Sequence, residues 1–283
     1  MERVGVVVHP TRAVADAVEV LRDWTAQRGL DLVQITTGQQ PVVAPAGEVG
    51  PDDLIAALGG DGTVLKALHV AHTTMTPVLG VAYGSLGALS AVPQAELRVG
   101  LDRFASGEWS AQRLPALEVA SGGSRLSRAI NDVVLIRRGG TQLMIDVEVD
   151  GELYARVAGD GMVIATSLGS SAYSMAGGGP LLAPATNAFV CTPLSMHGGC
   201  APPLVIDERQ TVAVQVHQSH TTFELDVDGF KFETEANEFE IACEGAYATL
   251  VGLDGSCGGI TRLRDRGLIS DSPRIIEEAK RTS

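Results

Sequence analysis

Leu54-Ile55-Ala56-Ala57-Leu58 runs without interruption into Gly59-Gly60-Asp61-Gly62-Thr63, and Val64 to Val70 then takes on a helical pattern. Five apolar residues in a row predict a strand buried on both faces, as in a parallel sheet covered by helices. Glycines at the end of such a strand, ahead of a helix, mark the region outside the carboxyl ends of strands where open parallel sheets collect ligands. The flanks repeat the alternation. Val4 to Val8 is a second apolar strand, broken by His9-Pro10-Thr11. From Val14 the pattern is helical: Val14, Val18, Leu21 and Trp24 or Thr25 share one face, and Gly29 is placed to cap the C-terminus. Leu30 to Ile35 and Pro77 to Ala82 are further strands, and a Pro/Gly-rich loop spans Gly38 to Pro51.

The character changes near Arg113. Leu143 to Val149 alternates apolar and polar residues, Asp150-Gly151 supplies a turn, and Leu153 to Val157 returns. Thr211 to His217, Phe223 to Val227 before Asp228-Gly229, and Phe239 to Cys243 alternate in the same way. Period-two alternation with Asp-Gly turns predicts antiparallel sheets packed as a sandwich. Leu263 to Lys280 is helical in composition, with Ser272-Pro273 as N-cap and first-turn proline. The expected fold is α/β followed by β. It comprises a Rossmann-like domain with a parallel sheet (1–110), a β-sandwich domain (111–261) and a helical tail (262–283) that returns to the first.

A length of 283 residues suits two such domains. Asp and Glu total 34 against 21 Lys and Arg, a net charge of −13. Such a surface repels phosphate backbones at long range, so nucleic acid is not an expected partner. A phosphate ligand would have to be held by backbone amides, a metal ion or a few placed cations. Cys191, Cys200, Cys243 and Cys257 form no Cys-x-x-Cys pair and no zinc-ligand spacing, and are read as reduced thiols. The apolar run after Met1-Glu2-Arg3 is too short for a signal-peptide core, and no apolar run has the length of a membrane span. The expectation is a cytoplasmic protein without a membrane partner.

Four segments carry more glycine or small polar residues than folding requires. In Gly59-Gly60-Asp61-Gly62-Thr63, glycines let backbone amides approach phosphate, and the following helix N-terminus favours an anion. An acidic residue there repels phosphate, which makes sense if Asp61 binds a metal or accepts a proton from an attacking hydroxyl. The pentapeptide alone is equally compatible with a tight turn in which Asp61 caps the helix. No Gly-Lys-Ser/Thr follows, so it is not a Walker motif. Gly80 to Leu89 could wall a pocket, and Asn131-Asp132 is a polar pair ahead of a β run. Gly159-Asp160-Gly161 leads to Gly169-Ser170-Ser171-Ala172-Tyr173-Ser174 and then Gly177-Gly178-Gly179. Its hydroxyls could donate to phosphates or riboses, or belong to a surface turn. Gly-x-Ser-x-Gly is absent, which argues against a serine hydrolase. Of the histidines, His197 and, less so, His9 are candidates to line a pocket; His69 and His72 are read as surface or packing residues, and His217 and His220 carry no signal.

Taken in order, these segments resemble the NAD kinase family, over a span from the Val4 strand to Leu263-Arg264-Asp265-Arg266-Gly267-Leu268. Thr192-Pro193-Leu194-Ser195-Met196-His197 also sits where the family has a Thr-Pro-x-x-x-His stretch. Diacylglycerol and sphingosine kinases share the Gly-Gly-Asp-Gly-Thr loop but not the Ala-Tyr-Ser segment. The resemblance implies transfer of the γ-phosphoryl of ATP, with magnesium, to the adenosine ribose 2′-hydroxyl of NAD. Asp61 would be the base or charge partner of that hydroxyl, with Gly59, Gly60, Gly62 and Thr63 along the ATP phosphates. Asn131, Asp132, Asp160 and Ser170, Ser171, Ala172, Tyr173, Ser174 would contact the dinucleotide, held between the domains of a homodimer or homotetramer. Departures cluster on the acceptor side: Asp132 for Glu, Ala82 for Asn, Ala88 for Phe, Ser167-Leu168 for Thr-Pro, and Pro202 for the Arg of Arg-Pro. They leave open another hydroxyl acceptor (a nucleoside, a sugar or NADH) or a binding sensor without catalysis.

Overall fold

The computed structural model describes residues 1–84, 86–217, 222–253 and 260–282, with side chains described to residue 278. Ser85 of the Gly80–Leu89 segment, His220 and Cys257 lie outside the described residues. The chain forms two compact units, Met1–Gln112 with Leu250–Ser283, and Arg113–Thr249.

In the first unit, β1 (Arg3–Val8), α1 (Ala15–Arg28), β2 (Asp31–Gln34), β3 (Leu54–Gly59), α2 (Asp61–Ala71), β4 (Val78–Ala82), β5 (Val92–Pro93) and α3 (Leu97–Ala105) follow one another. The strands pair in parallel in the order β2-β1-β3-β4, with Val6 opposite Ala56 and Ala56 opposite Leu79. β1 connects to β2 on one side and β3 to β4 on the other, so the carboxyl ends of β1 and β3 form the topological switch point. Strands β3 and β4 are buried along their whole length, as their unbroken apolar runs require. On one face, Ala17, Val18, Leu21 and Trp24 of α1 pack with Leu97, Leu101 and Phe104 of α3 over Val4, Val6, Ala56 and Leu58. Trp24 is fully buried, and its indole N–H donates to Asp102 at 2.8 Å. Gly29 ends α1 in the left-handed region (φ 66°), with its N–H and that of Leu30 bonded back to Ala26 and Thr25.

Two elements depart from the sequence expectation. Helix α2 starts at Asp61, inside the glycine stretch, because extended Gly60 serves as N-cap and its carbonyl accepts from Thr63 and Val64. Helix α3 was not anticipated, although Leu97, Leu101 and Phe104 have the spacing of one helical face.

The second unit is antiparallel. Its strands are β6 (Ser110–Ser121), which begins in the first unit, β7 (Ser124–Ala129), β8 (Asp132–Arg138), β9 (Leu143–Val149), β10 (Glu152–Gly159) and β11 (Gly161–Thr166). After the short helix α4 (Tyr173–Ala176) come β12 (Ala188–Leu194), β13 (Leu204–Asp207), β14 (Thr211–His217), β15 (Thr222–Val227), β16 (Phe230–Phe232) and β17 (Glu238–Gly252), whose last residues enter the first unit. One sheet runs β10-β9-β14-β17, with β6 beside β17 and β7 beside β6; the other runs β13-β12-β11-β8-β15-β16. Leu135, Met162, Ile164 and Phe189 of one sheet pack against Ile145, Val212, Val214 and Phe239 of the other, which makes the unit a β-sandwich. Asp150-Gly151 and Asp228-Gly229 turn the hairpins with φ positive at both residues (50° and 80°, 53° and 75°), the geometry that Asp-Gly favours. The outer face of β11 is covered by Leu182, beyond the Ser/Gly loop, which draws that loop onto the sheet. The tail forms two helices, α5 (Ile260–Asp265) and α6 (Pro273–Thr282), the second starting at the proline read as its first turn. Gly267 (φ 74°) lies in the break between them.

Phe239→Ala is expected to cost about 3–5 kcal/mol by leaving a cavity between the sheets. Exposed Val205→Ala in β13 should stay within about 0.5 kcal/mol. Urea midpoints measure both, and equal midpoints would place the core elsewhere.

Candidate active site

The peptide N–H of Tyr83, just past β4, donates to Gly59 O, and that of His9 donates to Leu58 O, so the β1 and β4 loops start side by side with the glycine turn. Asp61 is the first residue of α2, and its carboxylate does not cap that helix. It reaches to the next loop, where Oδ2 accepts the Ala88 N–H at 2.9 Å and Oδ1 the Leu89 N–H at 3.1 Å. Gly87 makes this approach possible, since a Cβ there would lie 2.1 Å from Asp61 Oδ1. The carboxylate is partly exposed and held in one orientation, with a second lone pair on each oxygen uncommitted to these amides. Gly59 is needed for a similar reason. A Cβ would lie 2.2 Å from Thr63 Oγ1, and Thr63 is buried against it. Gly62 is exposed and open above.

Cations gather at the same switch point. His9 Nδ1 accepts from the N–H of Thr11 and of Arg12, each at 3.2 Å. Burial first, then the charges of Arg12 and Lys66, lower its pKa, so the ring stays neutral with its proton on Nε2. Arg12 donates to the Tyr83 carbonyl, and its Nη2 lies 4.0 Å from the position a Gly60 Cβ would take. Arg12 has no ion-pair partner among the described residues. Arg262 of α5 donates to Gly87 O at 3.4 Å. The β4 loop is thus tied at three points, by Arg12, Asp61 and Arg262. The sequence reading passed over Arg12, although it directly follows the breaker at the end of β1, the other arm of the switch point.

In the second unit Asn131 and Asp132 open β8. Asp228 organises them: its carboxylate accepts from the N–H of Ile130 at 2.9 Å, Asn131 at 2.6 Å and Asp132 at 3.2 Å. Read from sequence as a turn residue alone, Asp228 also clamps the polar pair. Thr166 closes the other side, its hydroxyl donating to Ile130 O at 2.6 Å and its N–H to Asn131 O at 2.9 Å. Gly169 must be glycine, because a Cβ would lie 2.0 Å from Asn131 O. The side chains of Asn131 and Asp132 make no hydrogen bond to another described residue. Asp132 is buried, and burial, then the charges of Asp228 and Asp226, push its pKa up to about 7.

The hydroxyls of the Ser loop turn inward. Ser170 donates to Ser167 O at 2.7 Å and accepts from Leu182 N–H at 3.0 Å; Ser171 donates to Leu168 O at 3.1 Å; Ser174 pairs with Thr192 at 2.9 Å. They shape the turn, and what the loop exposes is Ala172 and Tyr173. Asp160 stands apart, at the opposite end of β11 and so about 20 Å from Thr166 at strand rise. Arg137 Nε bonds it at 2.6 Å and, with the Ser195 hydroxyl, lowers its pKa. Cys191 is buried, its thiol pushed up to about 12. Among the described residues no three His, Cys, Asp or Glu side chains are grouped to hold a metal, and no helix is long and apolar enough to cross a membrane.

The ATP-NAD kinase N-terminal domain matches residues 49–109, and the ATP-NAD kinase C-terminal domain matches 130–251. An NAD kinase of Chlorobium phaeovibrioides is 35% identical over 237 residues, covering 80% of this chain and 83% of the relative. One from Nitratidesulfovibrio vulgaris is 33% identical over 278 residues, 93% and 89% of the two chains. Among solved structures, yeast NADH kinase complexed with NADH superposes with a TM-score of 0.78 at 21% identity, over 96% of this chain and 89% of that one. An NAD kinase from Archaeoglobus fulgidus in complex with ATP gives 0.73 at 19% identity, over 95% and 100%. At those identities the superpositions speak for the fold.

Asp132 titrates near 3.8 when unfolded and near 7 when folded, so between those values the folded chain binds the extra proton. Stability should therefore fall as pH rises from about 4 through about 7, then level. Asp132→Asn is expected to melt higher than wild type at pH 8 and close to it at pH 4; parallel curves from pH 4 to 8 would show that Asp132 ionises normally.

Proposed function

Because the chain belongs to the ATP-NAD kinase family, it is an ATP-dependent NAD kinase, and we propose that Asp61 is the group on which its phosphoryl transfer turns. The γ-phosphoryl of ATP passes to the adenosine ribose 2′-hydroxyl of NAD, giving NADP and ADP. Such transfers depend on positioning and on neutralising charge, with little covalent chemistry from the protein. One observation carries the assignment. A carboxylate sits one residue into the helix that follows β3, at the switch point, and two amides from the neighbouring loop fix its orientation. Held this way it can accept the hydroxyl proton as the oxygen attacks, an effect worth roughly 10²- to 10⁴-fold.

Gly59, Gly60 and Gly62 bring backbone close to the phosphates, and the first N–H groups of α2 with its dipole favour the anion. Thr63, its hydroxyl turned to Gly59, contributes main chain. The acceptor dinucleotide is assigned to the Asn131 amide, Asp132, Ala172 and Tyr173, with Ser170, Ser171 and Ser174 holding the turn that presents them. Asp160 is assigned a separate contact with the dinucleotide. A divalent cation, magnesium in this reading, fits as a companion of the triphosphate. It is commonly bound by phosphate oxygens and one or two carboxylates, and Asp61 retains lone pairs for it. When bound it would neutralise charge on the phosphates. Assembly as a homodimer or homotetramer belongs to the same proposal, and light scattering reads it. The small side chains Ala82 and Ala88 favour a second reading, in which NADH or another hydroxyl compound is the better acceptor; kcat/KM across a panel of acceptors decides it.

Asp61→Asn keeps an acceptor for one amide but sets an NH2 group against the other, so a modest fall in melting temperature is expected. NADP formation should drop by about 10² or more while calorimetry still detects ATP. Near-normal turnover would remove Asp61 from the mechanism.

A further inference from the structure

The first unit holds a cavity of about 470 Å³ that, of the site residues discussed above, only Ala82 and its neighbour Gly84 line. It is lined by Asp16 and Val20 of α1, Ala82 at the end of β4, and Pro93, Gln94 and Ala95. Its volume is that of a small-molecule site. Its chemistry excludes phosphate. One carboxylate and one amide sit among small apolar groups, and no Lys, Arg or His lines it. A neutral, flat group with hydrogen-bond donors on its edge suits it, such as a nucleobase with an exocyclic amine or a ribose diol.

Its position supplies the rest. Ala82 and Gly84 both line it, and the carbonyl of Tyr83 between them accepts from Arg12. The Arg12 guanidinium therefore stands at the rim, with its other nitrogen toward Gly60. From the cavity, past an arginine with no ion-pair partner among the described residues, the next feature is the glycine turn before Asp61. A nucleoside triphosphate has this layout: a neutral head, a polyanionic chain and a terminal reacting phosphate.

We propose that this cavity binds the nucleoside of the phosphoryl donor and that Arg12 grips its phosphate chain, so the site selects a nucleotide over inorganic polyphosphate. The inference rests on the kinase reading and extends it to donor specificity. Asp16 accepts from the base amine or the ribose diol, Gln94 pairs with a polar edge, and Ala82 and Pro93 cover the faces.

Ala95 is exposed on a short 3-10 turn, so Ala95→Trp can fill the cavity without entering the core. With melting temperature as the fold control, Ala95→Trp should raise the KM for ATP by about tenfold or more while the KM for NAD moves less than about twofold. Inorganic tripolyphosphate, which lacks a nucleoside, serves as a competitive probe. Its inhibition constant should be unchanged in Ala95→Trp and rise about fivefold or more in Arg12→Ala. An unchanged KM for ATP in Ala95→Trp, or a rise in the KM for NAD instead, overturns the cavity assignment and leaves the kinase reading standing. A wild-type chain that neither binds ATP by calorimetry nor forms NADP overturns both.

Discussion

The pair of hydrogen bonds from the Ala88 and Leu89 amides to the Asp61 carboxylate is the constraint on which the first unit's chemistry depends. An aspartate at the first position of a helix ordinarily serves that helix, satisfying a free N–H or complementing its dipole. Here glycine takes the capping position, and the carboxylate is released to reach across to another strand's loop. Two peptide amides donating to one carboxylate fix both its rotamer and the path of the loop that supplies them. The loop is held in turn by Arg12 on one flank and Arg262 on the other. In the role proposed for Asp61, meeting a reacting hydroxyl within a fraction of an ångström, such orientation is what the group gains most from.

The second unit uses the same device for a different purpose. Asp228, at a hairpin turn, gathers three consecutive amides and sets the backbone that carries Asn131 and Asp132. In both places a carboxylate organises backbone and a glycine without room for a methyl group allows the approach, Gly87 in one and Gly169 in the other. Beside that clamp Asp132 is enclosed with two other aspartates, and burial keeps its proton on to near neutrality. A protonated carboxyl donates as well as accepts. With a side chain one methylene shorter than glutamate, the position remains suited to a hydroxyl or amide of a dinucleotide.

Much of this was legible in the residues. Unbroken apolar runs with glycine at their ends specify buried parallel strands, and Asp-Gly between alternating runs specifies hairpins; local rules decide both, and both hold in Leu54–Gly59 and at Asp150-Gly151. What escaped depends on contacts far along the chain. Nothing around Asp61 says that its partners are amides 27 and 28 residues away. Serines in a glycine-bounded loop read as ligand donors, yet burial under Leu182 turns their hydroxyls onto the loop's own carbonyls and Thr192. Arg12 and Asp228 escaped because each sits in an ordinary turn motif, and their significance comes from the strand order that brings them to Tyr83 and Ile130.

Charge explains why so few cations matter. With 34 acidic residues against 21 basic ones, the protein repels a triphosphate at a distance, and binding has to be won at short range. The switch point has the means that the proposed donor site needs: the first amides of α2, an arginine whose charge no described carboxylate offsets, and a histidine kept neutral by burial and by its cationic neighbours. A neutral histidine beside Arg12 and Lys66 adds a donor without adding like-charge repulsion. The same acidity that makes phosphate expensive to approach makes a nonspecific polyanion a poor competitor, so an uncharged nucleoside anchor beside a small cationic patch is a coherent way for an acidic kinase to hold its donor.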